Sequence, residues 1–103
     1  MVEINWYNEC KVYVRNPTDR NLKAFFGVTF IILENIWEFI TPGNIKPKHL
    51  LWSMAYLKLY NTEDVMSNMF KCDQKTFRKY VRLVLLHLDE VLPDVIFSYI
   101  LIP

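Results

Sequence analysis

The chain has 103 residues, 52% of them apolar and 22% charged, with 12 basic and 11 acidic residues and a net charge of +1. This excludes a second domain and an intrinsically disordered chain, and it leaves the partner question to where the charges sit, because their sum is near zero. Two cysteines, Cys10 and Cys72, without metal-ligand spacing exclude a disulfide framework or a zinc module and point to a reducing intracellular compartment.

Taken in order, residues 1–15 mix polar and aromatic types with a weak alternation at Lys11-Val12-Tyr13-Val14-Arg15, which leaves a short strand and a frayed helix both open. They lack the cationic lead and apolar run of a secretory signal. Thr18 is a helix cap with Asp19 in the first turn, and Gly27 is a stop, which predicts a helix over 19–26. Thr29 caps the next helix, whose Phe30, Leu33, Ile36, Trp37 and Ile40 recur at the three-and-four spacing of one face. It ends at Thr41-Pro42-Gly43-Asn44, the clearest loop in the chain.

Pro47 suits the first turn of a third helix, where its missing N–H is not needed, and Leu50, Leu51, Met54, Leu57 and Tyr60 repeat at helical spacing. Thr62, followed by Glu63 and Asp64 at the positive end of the dipole, opens a short helix over 63–70. Lys71-Cys72-Asp73 is a three-residue turn, and Asp73 caps a last helix from Gln74 to His87 or Leu88. Helix, short helix, turn and helix is the order of a tri-helical helix-turn-helix. Neither apolar stretch, 25–40 with its interrupting Gly27, Glu34, Asn35 and Glu38, or 91–103, amounts to the roughly 20 continuous apolar residues of a bilayer span.

The near-neutral total hides a basic middle. Residues 1–45 hold four cations against five acids, residues 46–88 eight against three, and the last 15 residues three acids and no cation. Within the last helix, Lys75, Arg78, Lys79 and Arg82 share an arc of roughly 100°, while Phe77, Val81, Val84 and Leu88 fall on the opposite side. No acid stands between Lys75 and Leu88, although a merely solvated helix usually mixes signs.

In this architecture the last helix lies in the major groove, so Gln74, Lys75, Thr76, Arg78 and Lys79 are the groove-facing candidates. Arg78 has the planar fork that matches guanine O6 and N7; Gln74 suits adenine, and Lys75 and Lys79 suit base or phosphate. Arg82, Lys71, Lys46 and Lys48 are assigned to phosphates, which fix position and give salt dependence without sequence information. The helix pair of 19–40 serves as an internal control. Phe26-Gly27-Val28-Thr29 parallels Phe70-Lys71-Cys72-Asp73, but its second helix carries Glu34 and Glu38 and no cation, so it reads as a packing element.

The run "KPKHLLWSMAYLKLYNTEDVMSNMFKCDQKTFRKYV", with the upstream "LKAFFGVTFIILENIW", resembles the region before the catalytic domain of DDE-type DNA transposases, particularly Harbinger-like elements. The resemblance covers roughly residues 20–97 and implies binding to the element's DNA ends, in the nucleus if the host is eukaryotic and otherwise in the cytoplasm. Lys71 stands where such sequences often have Gly, and a left-handed residue there costs about 1 kcal/mol. Tyr80 stands where Trp is common. The family's two-metal site needs three carboxylates in a separate domain, and the chain stops short of one. Asp89, Glu90 and Asp94 lack a sheet to aim them, so no metal, cofactor, catalytic residue or cleavage activity is expected.

His49 and His87 are single helical histidines and read as structural, Cys72 as an inert turn thiol, and Trp6, Trp37 and Trp52 as core. The apolar end of the last helix and the apolar tail need cover, which a catalytic subunit or a second copy would supply. A non-enzymatic oligomerisation or adaptor module is therefore the rival to DNA binding. The expected architecture is all-α, one bundle of about five helices, divided into an extension over 1–18, a packing unit over 19–45, a helix-turn-helix over 46–90 and a tail over 91–103.

Overall fold

A computed structural model of the chain describes residues 4–39 and 45–91, which form six helices and no strand. The first, α1 (Trp6–Lys11), resolves the alternative left open for the N-terminal region. Asn5 caps it by accepting from the Asn8 N–H at 3.2 Å, and Trp6 and Cys10, one turn apart, are both buried. The alternating residues Lys11 to Arg15 lie at and after its C-terminus.

Helix α2 (Asp19–Phe26) has the predicted bounds: the Thr18 hydroxyl accepts from the Asn21 N–H at 3.2 Å, and Gly27 closes the helix at φ +79°. Helix α3 (Phe30–Phe39) follows after a three-residue turn, with the Phe30 N–H held by the Asp19 carboxylate at 3.2 Å. Its predicted end at Ile40 and the loop at 41–44 lie outside the described residues. Helix α4 (Pro47–Leu59) is the centre of the bundle and packs against α1, α2 and α6 (Gln74–Val91). Seven consecutive residues, His49 to Ala55, are buried, which requires neighbours on all sides of the helix.

Helix α5 (Glu63–Met69) is capped by the Thr62 hydroxyl and packs on α6, so α6 rests on both α4 and α5. The seam of these three helices is aromatic: Trp52 of α4, Phe70 after α5 and Phe77 of α6 stand 5.8–6.2 Å apart ring to ring. Tyr13 ties the N-terminal region to this seam by stacking edge-on against Phe70 and accepting from the Trp52 indole N–H at 3.3 Å. Residues 1–18 thus contribute Trp6 and Cys10 to the same core as the helix-turn-helix. No described helix is long and apolar enough to cross a membrane.

The two turns compared in the sequence share a backbone device. Gly27 and Lys71 each follow a buried phenylalanine, Phe26 and Phe70, and each is left-handed, at φ +79° and +57°. Lys71 adopts this conformation despite its Cβ, and its N–H bonds the Asn68 carbonyl while the Cys72 N–H bonds that of Ser67.

Candidate nucleic-acid interface

Helix α6 carries the site because its two sides are fully differentiated. Phe77, Val81, Val84 and Leu88 are each no more than 4% exposed. Lys75, Arg78, Lys79 and Arg82 are all exposed on the opposite side, with Gln74 exposed and Thr76 half-buried at the first turn. Anchoring one side in the aromatic seam fixes the rotation of the helix and therefore the direction of the charged side.

Asp73 stands directly before Gln74, the first residue of α6, and interaction with Thr76 holds its exposed carboxyl below the usual carboxylate range. An anion of the protein itself therefore occupies the place at the helix N-terminus where a phosphate would otherwise sit. Sequence reasoning identified the cap but not this consequence.

The two flanks of the cationic ridge differ in sign. On the α4 side, His49 lies parallel to Tyr80 with ring centroids 3.8 Å apart and an interplanar angle of 6°. The Lys79 ammonium sits 5.4 Å from the Tyr80 ring centre, and the Lys48 ammonium 5.8 Å from that of Trp52, which packs edge-on against His49. This chain of rings makes the start of α4, with exposed Lys46 and Lys48, the neighbour of the first turns of α6. Lys48 also acts electrostatically on Cys72 in the turn before α6, although burial dominates there and raises the thiol.

On the α5 side stands Glu63, whose Oε2 accepts from Arg78 Nε at 2.6 Å, the one ion pair among the described residues. Asp64, exposed, adds a second acid. The basic surface therefore spreads from α6 towards α4. Of the nine residues singled out in the sequence, Lys75, Lys79 and Arg82 lie on the ridge with no ion-pair partner among the described residues, and Lys46 and Lys48 lie on its α4 flank. Lys71 is exposed in the left-handed turn, and Gln74 and Thr76 start the helix. Arg78 is on the ridge but tethered, through a contact fifteen residues apart in sequence that no periodicity announces.

Beneath the ridge, His49 Nδ1 accepts from the Lys46 N–H at 2.9 Å, which places the ring proton on Nε2. Burial, with Lys48 and Lys46 adding to it, pulls the imidazole from 6.5 down to about 4, so it is a neutral packing ring at physiological pH. Elsewhere, a groove between α1 and α3 is lined by Ile4, Asn5, Trp6, Tyr7, Phe30 and Glu34, and its one carboxylate gives it the wrong sign for phosphate. Glu34 and Glu38 of α3 are exposed.

No family model matches the chain, and neither a curated protein nor a solved structure does. No group of three histidine, cysteine or acidic side chains comes together among the described residues. Of the acids weighed as metal ligands, Asp94 and the side chains of Asp89 and Glu90 lie outside the described part, as does the tail.

Proposed function

We propose that this protein is a non-enzymatic module that binds double-stranded DNA through the cationic ridge of α6, with the ridge in the major groove and the start of α4 against the phosphate backbone. The observation that carries the reading is that Lys75, Arg78, Lys79 and Arg82 are exposed together on one side of a helix whose other side is buried, with no acid between Lys75 and Leu88. The helix-turn-helix order of α4, α5 and α6 supports it. Nuclear residence in a eukaryotic host goes with this reading.

The test is retention of a duplex by wild type and by the double variant Lys75→Glu/Lys79→Glu as salt is raised. Wild-type affinity should fall steeply with salt, each phosphate contact adding about 0.9 to the slope of log affinity against log salt, and the variant should lose retention while keeping its helical circular dichroism. A folded variant that holds the duplex as wild type does rejects the assignment.

One observation favours a second reading, an oligomerisation or adaptor module. Leu83 and Leu86, 38% and 56% exposed, continue the outer side of α6 beyond the cations as apolar surface. Sedimentation separates the two: a dimer that Leu86→Glu dissociates, in a chain with no duplex affinity, supports the second.

A further inference from the structure

We infer that Glu63 is a positioning residue for base reading by Arg78, an inference that rests on the DNA-binding reading above. Two opposed roles are open to an acid in this place. It could weaken DNA binding by neutralising a ridge cation, or it could hold the guanidinium in a fixed attitude, and the bonded atoms decide between them.

Glu63 takes Nε, the edge of the fork nearest the chain, at 2.6 Å. A guanidinium has five N–H donors, and a bond at Nε leaves the four on the two η nitrogens. Those η donors form the pair that meets a guanine O6 and N7 end-on. Arg78 keeps 48% of its side-chain surface open to solvent while so bonded, so the tether does not close off the far end of the fork.

Glu63 is itself held. It is the first residue of α5, directly after the Thr62 cap, whose hydroxyl binds the Val65 N–H at 3.3 Å, and its own side chain is 30% exposed. A free arginine on a helix surface samples many rotamers, and ordering it costs affinity only on the sequence where it must meet the guanine edge, since on other sequences it stays free or turns to phosphate. An arginine pinned at Nε by a neighbouring helix is ordered beforehand, and its open donors point along one direction. The acid on this flank thus gives up some general attraction for phosphate and gains discrimination at one base.

The experiment begins with selection of bound sequences from a random duplex pool by the wild-type chain, and Arg78→Ala then identifies the guanine that Arg78 reads. The quantity measured is the ratio of affinities for the selected duplex and the same duplex with that guanine replaced by 7-deazaguanine, which lacks the N7 acceptor. For wild type the ratio should be about tenfold or more. Glu63→Ala, which removes the acceptor, should bring it within about twofold of unity while general duplex affinity holds or rises. Glu63→Gln keeps an oxygen acceptor for Nε without the charge and should preserve the wild-type ratio.

A wild-type ratio in Glu63→Ala, with all duplexes bound more tightly by both variants, would make Glu63 a simple electrostatic brake and overturn the inference. So would an Arg78→Ala chain that discriminates as wild type does, although DNA binding would then stand. Failure of the wild-type chain to retain any duplex removes the DNA-binding reading itself and the inference with it. Circular dichroism and melting of each variant confirm that the loss is not of α5.

Discussion

Acidification should remove stability through one residue, His49, and the amount follows from its surroundings. The ring is 3% exposed, stacked on Tyr80 at 3.8 Å, with Nδ1 already accepting from the Lys46 N–H. A second ring proton has to go on Nδ1, which breaks that bond and puts a cation beside Lys46 and Lys48 in a space without an acid to meet it. The folded state therefore binds this proton only near pH 4, whereas the unfolded chain binds it at 6.5. Because the folded value is the lower one, the stabilisation is complete above pH 6.5 and is lost as pH falls from there to about 4. Each pH unit is worth at most about 1.4 kcal/mol, so the full loss is about 3 kcal/mol, a large share of the roughly 5–15 kcal/mol that holds a domain of this kind. The assay is urea unfolding across that interval for wild type and His49→Phe, which keeps an aromatic ring against Tyr80 and cannot titrate. Wild type should lose about 3 kcal/mol more than the variant over the interval, since carboxylates such as Asp73 titrate in both. Parallel curves would refute the packing of a neutral His49.

Lys71→Gly removes the Cβ from a left-handed residue at φ +57°, and the relief of about 1 kcal/mol of strain less about 0.5–1 kcal/mol for the added freedom of the unfolded chain should leave the fold as stable or up to about 0.5 kcal/mol more so, read from the melting temperature. A loss of about 0.5–1 kcal/mol would mean that position 71 is right-handed. The two thiols should separate under a disulfide reagent: Cys10, fully buried with its thiol pushed up to about 12, should react only on unfolding, and half-buried Cys72 should react in the native protein. Equal native rates would contradict the burial of α1.

Helix bounds were legible where a cap and a stop are written in side chains. Thr18 and Gly27 delimit α2, Pro47 opens α4 and Thr62 opens α5, each within a residue of its place in the structure. The last helix runs to Val91, beyond His87 or Leu88, because nothing at those positions breaks it. Helix α1 raised the number of helices from about five to six, and its signal was present but short: Asn5 as cap, then Trp6 and Cys10 one turn apart. The alternation at Lys11 to Arg15 obscured it.

Side-chain faces of α6 followed from the 3.6-residue period alone. What periodicity cannot supply is contact between elements. The Glu63–Arg78 pair and the His49–Tyr80 stack depend on how α6 crosses α5 and α4, and those crossings are set by the aromatic seam of Trp52, Phe70 and Phe77. The alternative placed on the tail was not readable from either direction, since residues 92–103 lie outside the described part.

The unbroken burial of His49 to Ala55 in α4 has a corollary for substitution. Within that stretch every side chain is enclosed, so a change of volume at any of the seven positions is felt by the helices packed against α4. On the outer side of α6, Lys75, Arg78, Lys79 and Arg82 are exposed. Ridge residues of α6 can therefore be exchanged without repacking the interior that orients them.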